Sequence, residues 1–545
     1  PMAGFGRRAA APGPGTDGHG DQGRGTSGAA GHVRETLVGL WRRASSLFQT
    51  ELRPALARHG VVLSDVDALT ASELRAIETV FEQQILPEID VHWLDDVRTA
   101  PPIGGLGLNA AVEVRDAQGQ PRLAIVRLPD RPTSLVPFPP DPARGPHVHR
   151  SDALGLVWAG DLVLSRLERL LPGHTVCASH LFRVVREGDL VVSSNETKPL
   201  PERVMDAVRR REAQPVVLLT LATSMPSPLA KQLAGIFNVE ERAIIRERDV
   251  RDLARLWDLT RLPRPDLRHH RLIPARPASL EGRSPFDAIR ERDHLLHHPY
   301  ESFQPVLDLV RSAAADPQVE GIATTLYRTD RDQSPLVDAL VDAALRGVDV
   351  HVVVELRARF DERRNAEWTR RLKDAGAEVC HGRDGLKVHA KMTLIRRREP
   401  EGLRSYVHIS SGNYSAFTSQ VYTDVGLLTT NPAIASDVEH LFAYLTRRHP
   451  QLQTSLLLAA PTGLRQRLLV LIDREIAHAR RGAPAHLLLK MNALTDPQAI
   501  AAICRASEAG VQVDLIVRGV CALRPGMPGL SSRVHVRSIV GRFLE

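Results

Sequence analysis

The sequence predicts a multidomain α/β protein. Its 545 residues are more than one hydrophobic core usually holds, so about three or four domains are expected. A hydrophobic fraction of 43% and a charged fraction of 25% are ordinary for a globular chain. From about residue 109 onward, strand-like alternation and helix-like periodicity follow one another, a succession typical of α/β layers.

The first hundred residues are predicted to be mainly helical. Residues 1–32 are rich in Gly, Ala, Pro and Arg, which predicts a disordered or poorly packed lead-in. Apolar residues near helical spacing predict helices over 33–60 and 71–86. A Pro-Pro pair and a Gly-Gly pair then interrupt the pattern, so residues 33–100 are expected to form a partial helical N-terminal domain.

Residues 101–275 are predicted to form a mixed α/β head domain. Two hairpins, over 110–128 and 182–192, precede a helix at 200–211 and an apolar strand at 215–221. The segment carries no compact chemical motif, so a supporting or interaction role is expected for it.

Two further α/β lobes are predicted after a linker rich in Pro and Arg. Residues 276–455 form the first lobe and residues 456–545 the second. The predicted elements of the first lobe are strands 321–326, 350–356, 377–380, 406–410 and 425–429 and helices 335–346 and 363–375. Those of the second lobe are helices 463–481 and 497–509 and strands 486–491, 511–517 and 534–539.

Residues 386–392, Leu-Lys-Val-His-Ala-Lys-Met, form the most informative motif. Their alternation predicts a strand with Lys387, His389 and Lys391 on one face. Two ammonium groups would lower the pKa of the imidazole and would attract an anionic electrophile such as phosphate. The chain has only six lysines among its 71 Lys and Arg residues, and two of them flank this histidine. The heptad by itself fits a partly buried basic strand equally well.

The two lobes carry an internal repeat. Residues 347–355 parallel residues 510–518 at an offset of 163 (510 − 347), and Val379 aligns with Val536. This alignment places the equivalent of His389 at position 546 (536 + 10), one position past the last residue of the sequence. The second lobe is therefore expected to be incomplete, with the site in a cleft between two facing lobes. Chance likeness between two ordinary α/β units is the alternative explanation.

Polar residues follow the predicted strands around the heptad. Arg328 and Arg359 come at carboxyl ends of strands, where ligands bind in parallel sheets, and guanidinium groups suit bidentate phosphate contacts. The turn at 410–413 offers backbone N–H groups and the amide of Asn413 to a second anion.

Together these stretches resemble the histidine-dependent, long-chain polyphosphate kinase family. The resemblance runs from about residue 33 to residue 545 and is most specific after residue 286. The matching motifs are residues 286–293, 325–329, 352–362, 386–391, 411–414, 422–424 and 515–519.

The resemblance implies reversible transfer of the ATP γ-phosphate to a growing polyphosphate chain, with Mg²⁺. His389 matches the histidine that becomes phosphorylated, and Lys391 would help to stabilise the charge that develops. Tyr422 and Arg518 match ATP-binding positions, and Asn413 would contact phosphate.

The family assigns the positions of Arg328 and Arg359 to the metal. Because a guanidinium has no lone pair, both are expected to hold phosphate oxygens, with Mg²⁺ bridged through the phosphates. The resemblance also implies a phospholipase-D-like pair of lobes behind a helical domain and a head domain, assembled as dimers or tetramers.

Two departures from the family pattern affect the expected activity. The second active-site histidine falls at position 546, and the family's earlier segment with a nucleotide-contacting asparagine has no match here. The chain as given is therefore expected to be an internal fragment that turns over poorly.

Two other function classes share parts of this pattern. A phospholipase-D-like hydrolase or transferase would share His-x-Lys and Ser-Gly-Asn, but it usually has Asp five residues after the Lys, where this chain has Arg396. A non-catalytic polyanion-binding protein would also suit the net charge of +7 and the pI near 9.5.

The remaining composition favours a cytoplasmic protein. Four cysteines without metal-ligand spacing indicate a reducing compartment and no zinc site. No apolar run of 18 or more residues is present in the sequence, so no transmembrane segment is expected, and peripheral membrane attachment is left open. ATP, ADP and polyphosphate are the expected partners, and nucleic acid is not.

Overall fold

A computed structural model describes residues 23–94, 103–128, 134–141, 153–187, 198, 200–210, 214–251, 253–330, 333–358, 361–383 and 385–544. The helices are α1 Gly23–Leu47, α2 Arg53–Arg58, α3 Ala71–Val80, α4 Ala159–Leu164, α5 Leu167–Leu170, α6 Leu200–Arg209, α7 Ser227–Ile236, α8 Pro285–Glu291, α9 Gln304–Ala315, α10 Pro335–Leu345, α11 Glu362–Asp374, α12 Pro432–Leu445, α13 Leu464–Arg480 and α14 Pro497–Glu508. The strands are β1 Val61–Leu63, β2 Asp90–Trp93, β3 Leu108–Arg115, β4 Pro121–Arg127, β5 Leu135–Phe138, β6 Leu154–Trp158, β7 Thr175–Arg186, β8 Val216–Ala222, β9 Ile244–Glu247, β10 His294–His298, β11 Val319–Leu326, β12 Asp349–Val354, β13 Glu378–Cys380, β14 Lys391–Glu399, β15 Gly402–Ser410, β16 Asp424–Thr429, β17 His486–Met491, β18 Gln512–Val517 and β19 Val534–Arg537.

The predicted multidomain α/β class is confirmed, and the described residues divide into two compact units. One unit comprises residues 23–187 and 209–268, and the other comprises 198–208 and 269–544. Among the described residues, no helix combines the length and the apolar character that crossing a bilayer requires.

The first unit combines helices with two sheets of strand order β2-β4-β3-β7-β8-β9 and β1-β6-β5. α3 starts with a capping box, because Thr70 and Glu73 each bond the backbone of the other. Of the two predicted hairpins, the one over 110–128 is β3 paired antiparallel with β4, and the second half of the one over 182–192 lies outside the described residues. The helix α1 begins at Gly23, so residues 23–32 are helical rather than part of a disordered lead-in, and residues 1–22 lie outside the described residues.

The first lobe of the second unit is built on a mixed sheet of order β10-β16-β15-β14-β11-β12-β13. β11, β12 and β13 are parallel to one another, whereas β14, β15, β16 and β10 join antiparallel. The helices that connect parallel strands pack against the sheet and cover it. This burial accounts for the apolar run of β12.

The second lobe holds a parallel sheet of order β17-β18-β19, and its register supports the predicted repeat. Val352 pairs with Val379 in the first lobe, and Leu515 pairs with Val536 in the second. Since 352 + 163 = 515, the strand pairing sets Val379 against Val536, as the sequence alignment did.

The helix ends repeat as well. α10 and α14 each end before a glycine with positive φ, Gly347 at 87° and Gly510 at 97°. The next N–H in each case bonds back to the helix, from Val348 to Ala343 and from Val511 to Ala506. Two lobes with the same helix termination and the same strand register are therefore structural repeats.

The predicted strand over 386–392 is wrong for most of its length. β14 begins at Lys391, and residues 386–390 have irregular backbone. The N–H of Val388 bonds to the Glu355 carboxylate at 2.6 Å, and the side chain of Arg357 donates to the carbonyl of Leu386. Side chains from another loop thus supply the hydrogen-bond partners that a neighbouring strand would otherwise provide.

Candidate active site

Several polar segments converge at one edge of the first-lobe sheet. β11 and β12 are parallel, so the residues that follow them, 327–330 and 355–358, leave the sheet at the same edge. β14 is antiparallel to β11, and its first residue pairs with Ser410, the last residue of β15. Ser410 also pairs with Gly426 near the start of β16. The strand order therefore gathers segments that are up to about a hundred residues apart in sequence, at the end of parallel strands where ligands usually bind.

Lys391 and Tyr327 both contact the imidazole of His389, a residue that is otherwise exposed. The Lys391 ammonium lies 3.1 Å from each ring nitrogen of His389 and donates to the His389 carbonyl oxygen at 2.7 Å. The ring of Tyr327 meets the imidazole edge to face, with centroids 4.8 Å apart. A neutral imidazole has one unprotonated nitrogen, and Lys391 is placed to donate a hydrogen bond to it.

The electrostatic surroundings favour a neutral His389 beside a charged Lys391. Partial desolvation of the ring, followed by the charges of Lys391 and Arg328, lowers the pKa of His389. Burial also lowers the pKa of Lys391 to about 8, although the carboxylate of Asp424 acts to raise it. Near neutral pH the imidazole therefore has a free lone pair, while Lys391, a residue that is only 4% exposed, keeps its charge.

Arg328 follows β11 and is held by Asp361. Its Nε lies 2.6 Å from Asp361 Oδ2, and Arg364 Nη1 lies 2.6 Å from the other oxygen of the same carboxylate. The guanidinium carbon of Arg328 is 6.0 Å from the centroid of Tyr327, the ring that covers His389. One carboxylate therefore orients two guanidinium groups at the edge of the site, where the sequence predicted Arg328 to lie.

The loop that carries His389 is held by a buried carboxylate. Glu355 is 1% exposed, and it accepts hydrogen bonds from Val388 N at 2.6 Å and from Arg357 N at 2.8 Å. The hydroxyl of Thr325 donates to the carbonyl of Ala390 at 2.8 Å and accepts from Met392 N at 3.1 Å. β11 and β12 thus fix the backbone on both sides of the histidine.

A buried hydroxyl chain supports the turn that contains Asn413. Tyr414 Oη accepts from Thr393 Oγ1 at 2.8 Å and lies 3.0 Å from His408 Nδ1, and Thr393 Oγ1 lies 2.8 Å from Thr324 Oγ1. Complete burial lowers the pKa of His408 to about 3, so this imidazole is neutral. Asn413 Oδ1 is buried and has no hydrogen-bond partner among the described residues, which leaves an acceptor available to a ligand.

The other two predicted ATP-binding residues, Tyr422 and Arg518, meet where the lobes touch. The guanidinium carbon of Arg518 lies 4.9 Å from the ring centroid of Tyr422. Lys490 Nζ donates to Thr423 Oγ1 at 2.9 Å, and Leu544 forms a parallel bridge with Tyr422. The second lobe thus places two cations against the segment that leads into β16.

One residue of the predicted cationic face lies apart from the others, and one predicted site residue lies outside the described residues. Lys387 is exposed, and among the described residues the charges that act on His389 come from Lys391 and Arg328, so the expectation of two flanking lysines on one face is wrong. The irregular backbone before Lys391 removes the alternation on which that expectation rested. Arg359 lies outside the described residues.

Three contributors were not assigned roles by sequence reasoning. Tyr327, Glu355 and Asp424 lie within the matched family motifs, but none of them was given a function. Their positions directly after or before a strand were the available signal, since side chains at such positions meet at the sheet edge.

Metal-ligating side chains do not form a cluster among the described residues. These residues contain no group of three or more His, Cys, Asp or Glu side chains arranged to hold an ion. Arg328 cannot coordinate a cation, because a guanidinium has no free lone pair. Arg396 stands where a phospholipase-D-like enzyme would have an aspartate, and its guanidinium lies 3.5 Å from Asp349, at the start rather than the end of β12.

Comparison with known proteins identifies the chain. Residues 72–259 match the polyphosphate kinase middle domain, residues 284–451 match C-terminal domain 1, and residues 457–545 match C-terminal domain 2 of the same family. Polyphosphate kinase from Prosthecochloris aestuarii is 37% identical over 515 residues, which cover 94% of this chain and 72% of that protein. Polyphosphate kinase from Neisseria gonorrhoeae is 39% identical over 530 residues, which cover 96% of this chain and 76% of that protein.

A solved structure agrees with these relatives. The crystal structure of polyphosphate kinase from Porphyromonas gingivalis superposes with a TM-score of 0.76 at 28% identity, over 95% of this chain and 76% of that one. A match of this extent to named kinases sets aside both a phospholipase-D-like hydrolase and a non-catalytic polyanion-binding protein. The chain belongs to the polyphosphate kinase family and is an enzyme of that class.

Proposed function

We propose that this enzyme transfers the γ-phosphate of ATP to polyphosphate, reversibly, through a phosphohistidine at His389. The observation that carries the proposal is the pairing of His389 with Lys391, whose ammonium lies 3.1 Å from both ring nitrogens. The lowered pKa of His389 supports a neutral nucleophile, and the relatives named polyphosphate kinase support the substrates.

In the first step, the unprotonated ring nitrogen of His389 attacks the γ-phosphorus. A P–N bond forms, the P–O bond to the β-phosphate breaks, and ADP leaves with the electron pair on the bridging oxygen. The imidazole must be neutral for this attack, because a doubly protonated ring has no lone pair to donate.

In the second step, a terminal phosphate oxygen of the polyphosphate chain attacks the phosphorus of the phosphohistidine. A new P–O bond forms and the P–N bond breaks, which returns its electron pair to the imidazole. Each step exchanges one energetic phosphoryl bond for another, so the sequence of steps runs in either direction.

The cations of the site neutralise the charge on the transferring group. Lys391 is the point charge beside the nucleophile, and Arg328 offers a planar fork next to it. Tyr422 and Arg518 would hold the nucleotide where the lobes meet, and Asn413 would contact a phosphate through its amide. For Arg359 we propose the same phosphate-binding role from its place in the family motif.

Mg²⁺ enters this proposal only as a companion of the nucleotide phosphates. The described residues lack a cluster of metal-ligating side chains, so none of them is assigned as a ligand and no step depends on one. When bound, the ion would neutralise phosphate oxygens of ATP. Assembly into dimers or tetramers is proposed from the family resemblance alone.

The test is a single-turnover labelling experiment with ATP that carries a radioactive γ-phosphate. We expect the chain to acquire label that is lost in acid and stable in alkali, as a phosphohistidine is, and we expect His389→Gln to acquire none. His440→Gln is the matched control, because His440 is an exposed histidine on α12, and it should label like the parent chain.

Equal acid-labile labelling of the parent and His389→Gln chains would contradict the proposal. Label that survives acid would point instead to a hydroxyl ester. Lys391→Met should reduce the labelling rate by about 100-fold, since removing one preorganised charge from a reacting centre usually has an effect of that order.

A further inference from the structure

The carboxyl end of the second-lobe sheet presents two cations side by side. Lys490 pairs with Ile516 in the parallel register of β17 and β18, and the ladder continues past β18 to Arg518, whose N–H donates to the carbonyl of Met491. Residues paired in register, and those two apart on a strand, share a face of the sheet. Lys490 and Arg518 therefore lie on one face at the sheet edge where ligands of parallel sheets bind.

Both cations reach the same segment of the first lobe. Lys490 Nζ donates to Thr423 Oγ1 at 2.9 Å, and the guanidinium carbon of Arg518 lies 4.9 Å from the Tyr422 ring. The hydroxyl of Thr423 accepts from the Lys490 ammonium, so this contact places the ammonium next to the segment that contains Tyr422. Lys490 is thereby positioned beside the residue pair to which the proposed function assigns the nucleotide.

The repeat shows that these positions have a different use in the first lobe. Thr325 pairs with Val353 just as Lys490 pairs with Ile516, and 353 + 163 = 516, so Lys490 is the equivalent of Thr325. By the same offset Arg518 is the equivalent of Glu355. In the first lobe, the side chains at these two positions form hydrogen bonds with the backbone of the loop that carries His389. In the second lobe they are cations turned toward the other lobe.

We propose that Lys490 is a further phosphate-binding residue, which acts together with Arg518 on an oligophosphate chain. The chain is either the triphosphate of ATP or the end of polyphosphate, since both offer consecutive anionic phosphates to two adjacent cations. Lysine supplies a mobile point charge and arginine a bidentate fork, so the pair can follow phosphates that shift along the cleft. The inference rests on the proposed function and adds a residue to its binding site.

The test measures binding to the 545-residue chain by calorimetry at fixed ionic strength, with two probes. One probe is the non-hydrolysable analogue β,γ-imido-ATP, and the other is short-chain polyphosphate. Lys490→Met keeps the apolar stem and removes the charge, and we expect it to weaken binding of at least one probe by about 10- to 100-fold. Weakening of the ATP analogue alone assigns Lys490 to the triphosphate, and weakening of polyphosphate alone assigns it to the chain end.

Two variants separate this role from a general charge effect. Lys231→Met removes the same charge from an exposed position on α7 and should bind both probes within twofold of the parent chain. Lys490→Arg should restore binding to within about threefold, because it returns the positive charge.

The proposal is overturned if Lys490→Met binds both probes as tightly as the parent, or if Lys231→Met weakens them equally. Unchanged far-ultraviolet circular dichroism of Lys490→Met shows that its fold is retained. Failure of the proposed function would show itself separately, as acid-labile labelling of His389→Gln, whatever Lys490→Met binds.

Discussion

In the first lobe, Thr325 and Glu355 turn toward their own loop and fix the backbone on either side of His389. In the second lobe, the equivalent positions are Lys490 and Arg518, whose side chains contact Thr423 and Tyr422 of the first lobe. The strand register at these positions is the same in both lobes. The same backbone arrangement therefore has two uses. In the first lobe it positions the nucleophile, and in the second lobe it presents positive charge.

The features that the lobes share are those that specify the backbone. α10 and α14 both begin with a polar cap followed by proline, Ser334-Pro335 and Asp496-Pro497. Both end at a glycine with positive φ. The features that differ are the side chains at the carboxyl ends of the strands, where a change does not disturb the core. The comparison indicates that the repeat is maintained by caps and apolar strands, and that chemistry is set by a few end positions.

The largest expected effect comes from removing the first-lobe carboxylate. Glu355→Ala would leave the backbone N–H groups of Val388 and Arg357 without the carboxylate that accepts from them, and we expect a loss of about 3 kcal/mol in the free energy of urea unfolding. Arg518→Ala, the equivalent change in the second lobe, should cost less than about 1 kcal/mol, because its side chain is partly exposed.

Labelling of His389 gives the second readout of the same pair. Glu355→Ala should reduce phosphohistidine formation even where the chain is folded, whereas Glu355→Gln should preserve part of it because the amide oxygen still accepts from Val388. Equal unfolding energies for the Glu355 and Arg518 variants would show that the two positions are structurally alike after all.

Much of this fold could be predicted from the sequence, because its elements are long and strongly periodic. The predicted strand at 350–356 is β12, and the helix at 497–509 is α14, each within two residues. The match of Val379 to Val536 also holds in the strand register, since both follow the same glycine-terminated helix and strand. The position of Arg328 after a strand end could be predicted for a similar reason, because β11 is recognisable in the sequence.

The His389 loop could not be predicted in the same way. Its alternating residues fit a strand, but the N–H of Val388 bonds to a carboxylate 33 residues earlier in the chain. Local periodicity carries no information about such a distant partner, so the exposed position of Lys387 was missed. The cover that Tyr327 gives to His389 was missed because it depends on which strands are neighbours.

The connection between the lobes offers a second test of the comparison between them. Asp437 on α12 accepts hydrogen bonds from Ser455 N, Leu456 N and Leu457 N at 2.7 to 2.8 Å, where the first lobe passes into the second. Asp437→Ala would leave these donors without their acceptor and should lower the urea-unfolding free energy by about 2 kcal/mol. Glu439→Ala, an exposed carboxylate on the same helix, should change it by less than about 0.5 kcal/mol.

The pH dependence of the Asp437 effect has a defined sign. Burial acts to raise the pKa of Asp437, but the backbone hydrogen bonds outweigh it and the pKa is lowered below its usual value. A depressed carboxyl pKa stabilises the fold above the unfolded-state pKa, and this stability is lost as the pH falls through the folded-state value. The difference between parent and Asp437→Ala should thus stay constant from neutral pH down to about pH 5 and shrink only in stronger acid. A difference that already shrinks between pH 7 and pH 6 would mean that another group is responsible.

The smallest expected effect concerns Asp424, which begins β16 two residues after Tyr422. Its carboxylate accepts from Ser411 Oγ at 2.8 Å and acts to raise the pKa of Lys391, which burial lowers to about 8. If Lys391 must be charged, the rate of His389 labelling should fall as the pH rises above about 8. Asp424→Asn keeps the shape but removes the charge, so this alkaline limb should move to lower pH by up to about one unit.

The acid limb of the same profile provides an internal control. His389 must be neutral to attack, and its lowered pKa places the loss of labelling below the usual titration range of histidine. The charges that lower this pKa are those of Lys391 and Arg328, so Asp424→Asn should leave the acid limb in place. Asp342→Asn, an exposed carboxylate on α10, should move neither limb. A shift of both limbs in Asp424→Asn would mean that Asp424 acts on the site as a whole. The chemistry of the first lobe would then depend on residues 422–424, the segment that the second lobe contacts.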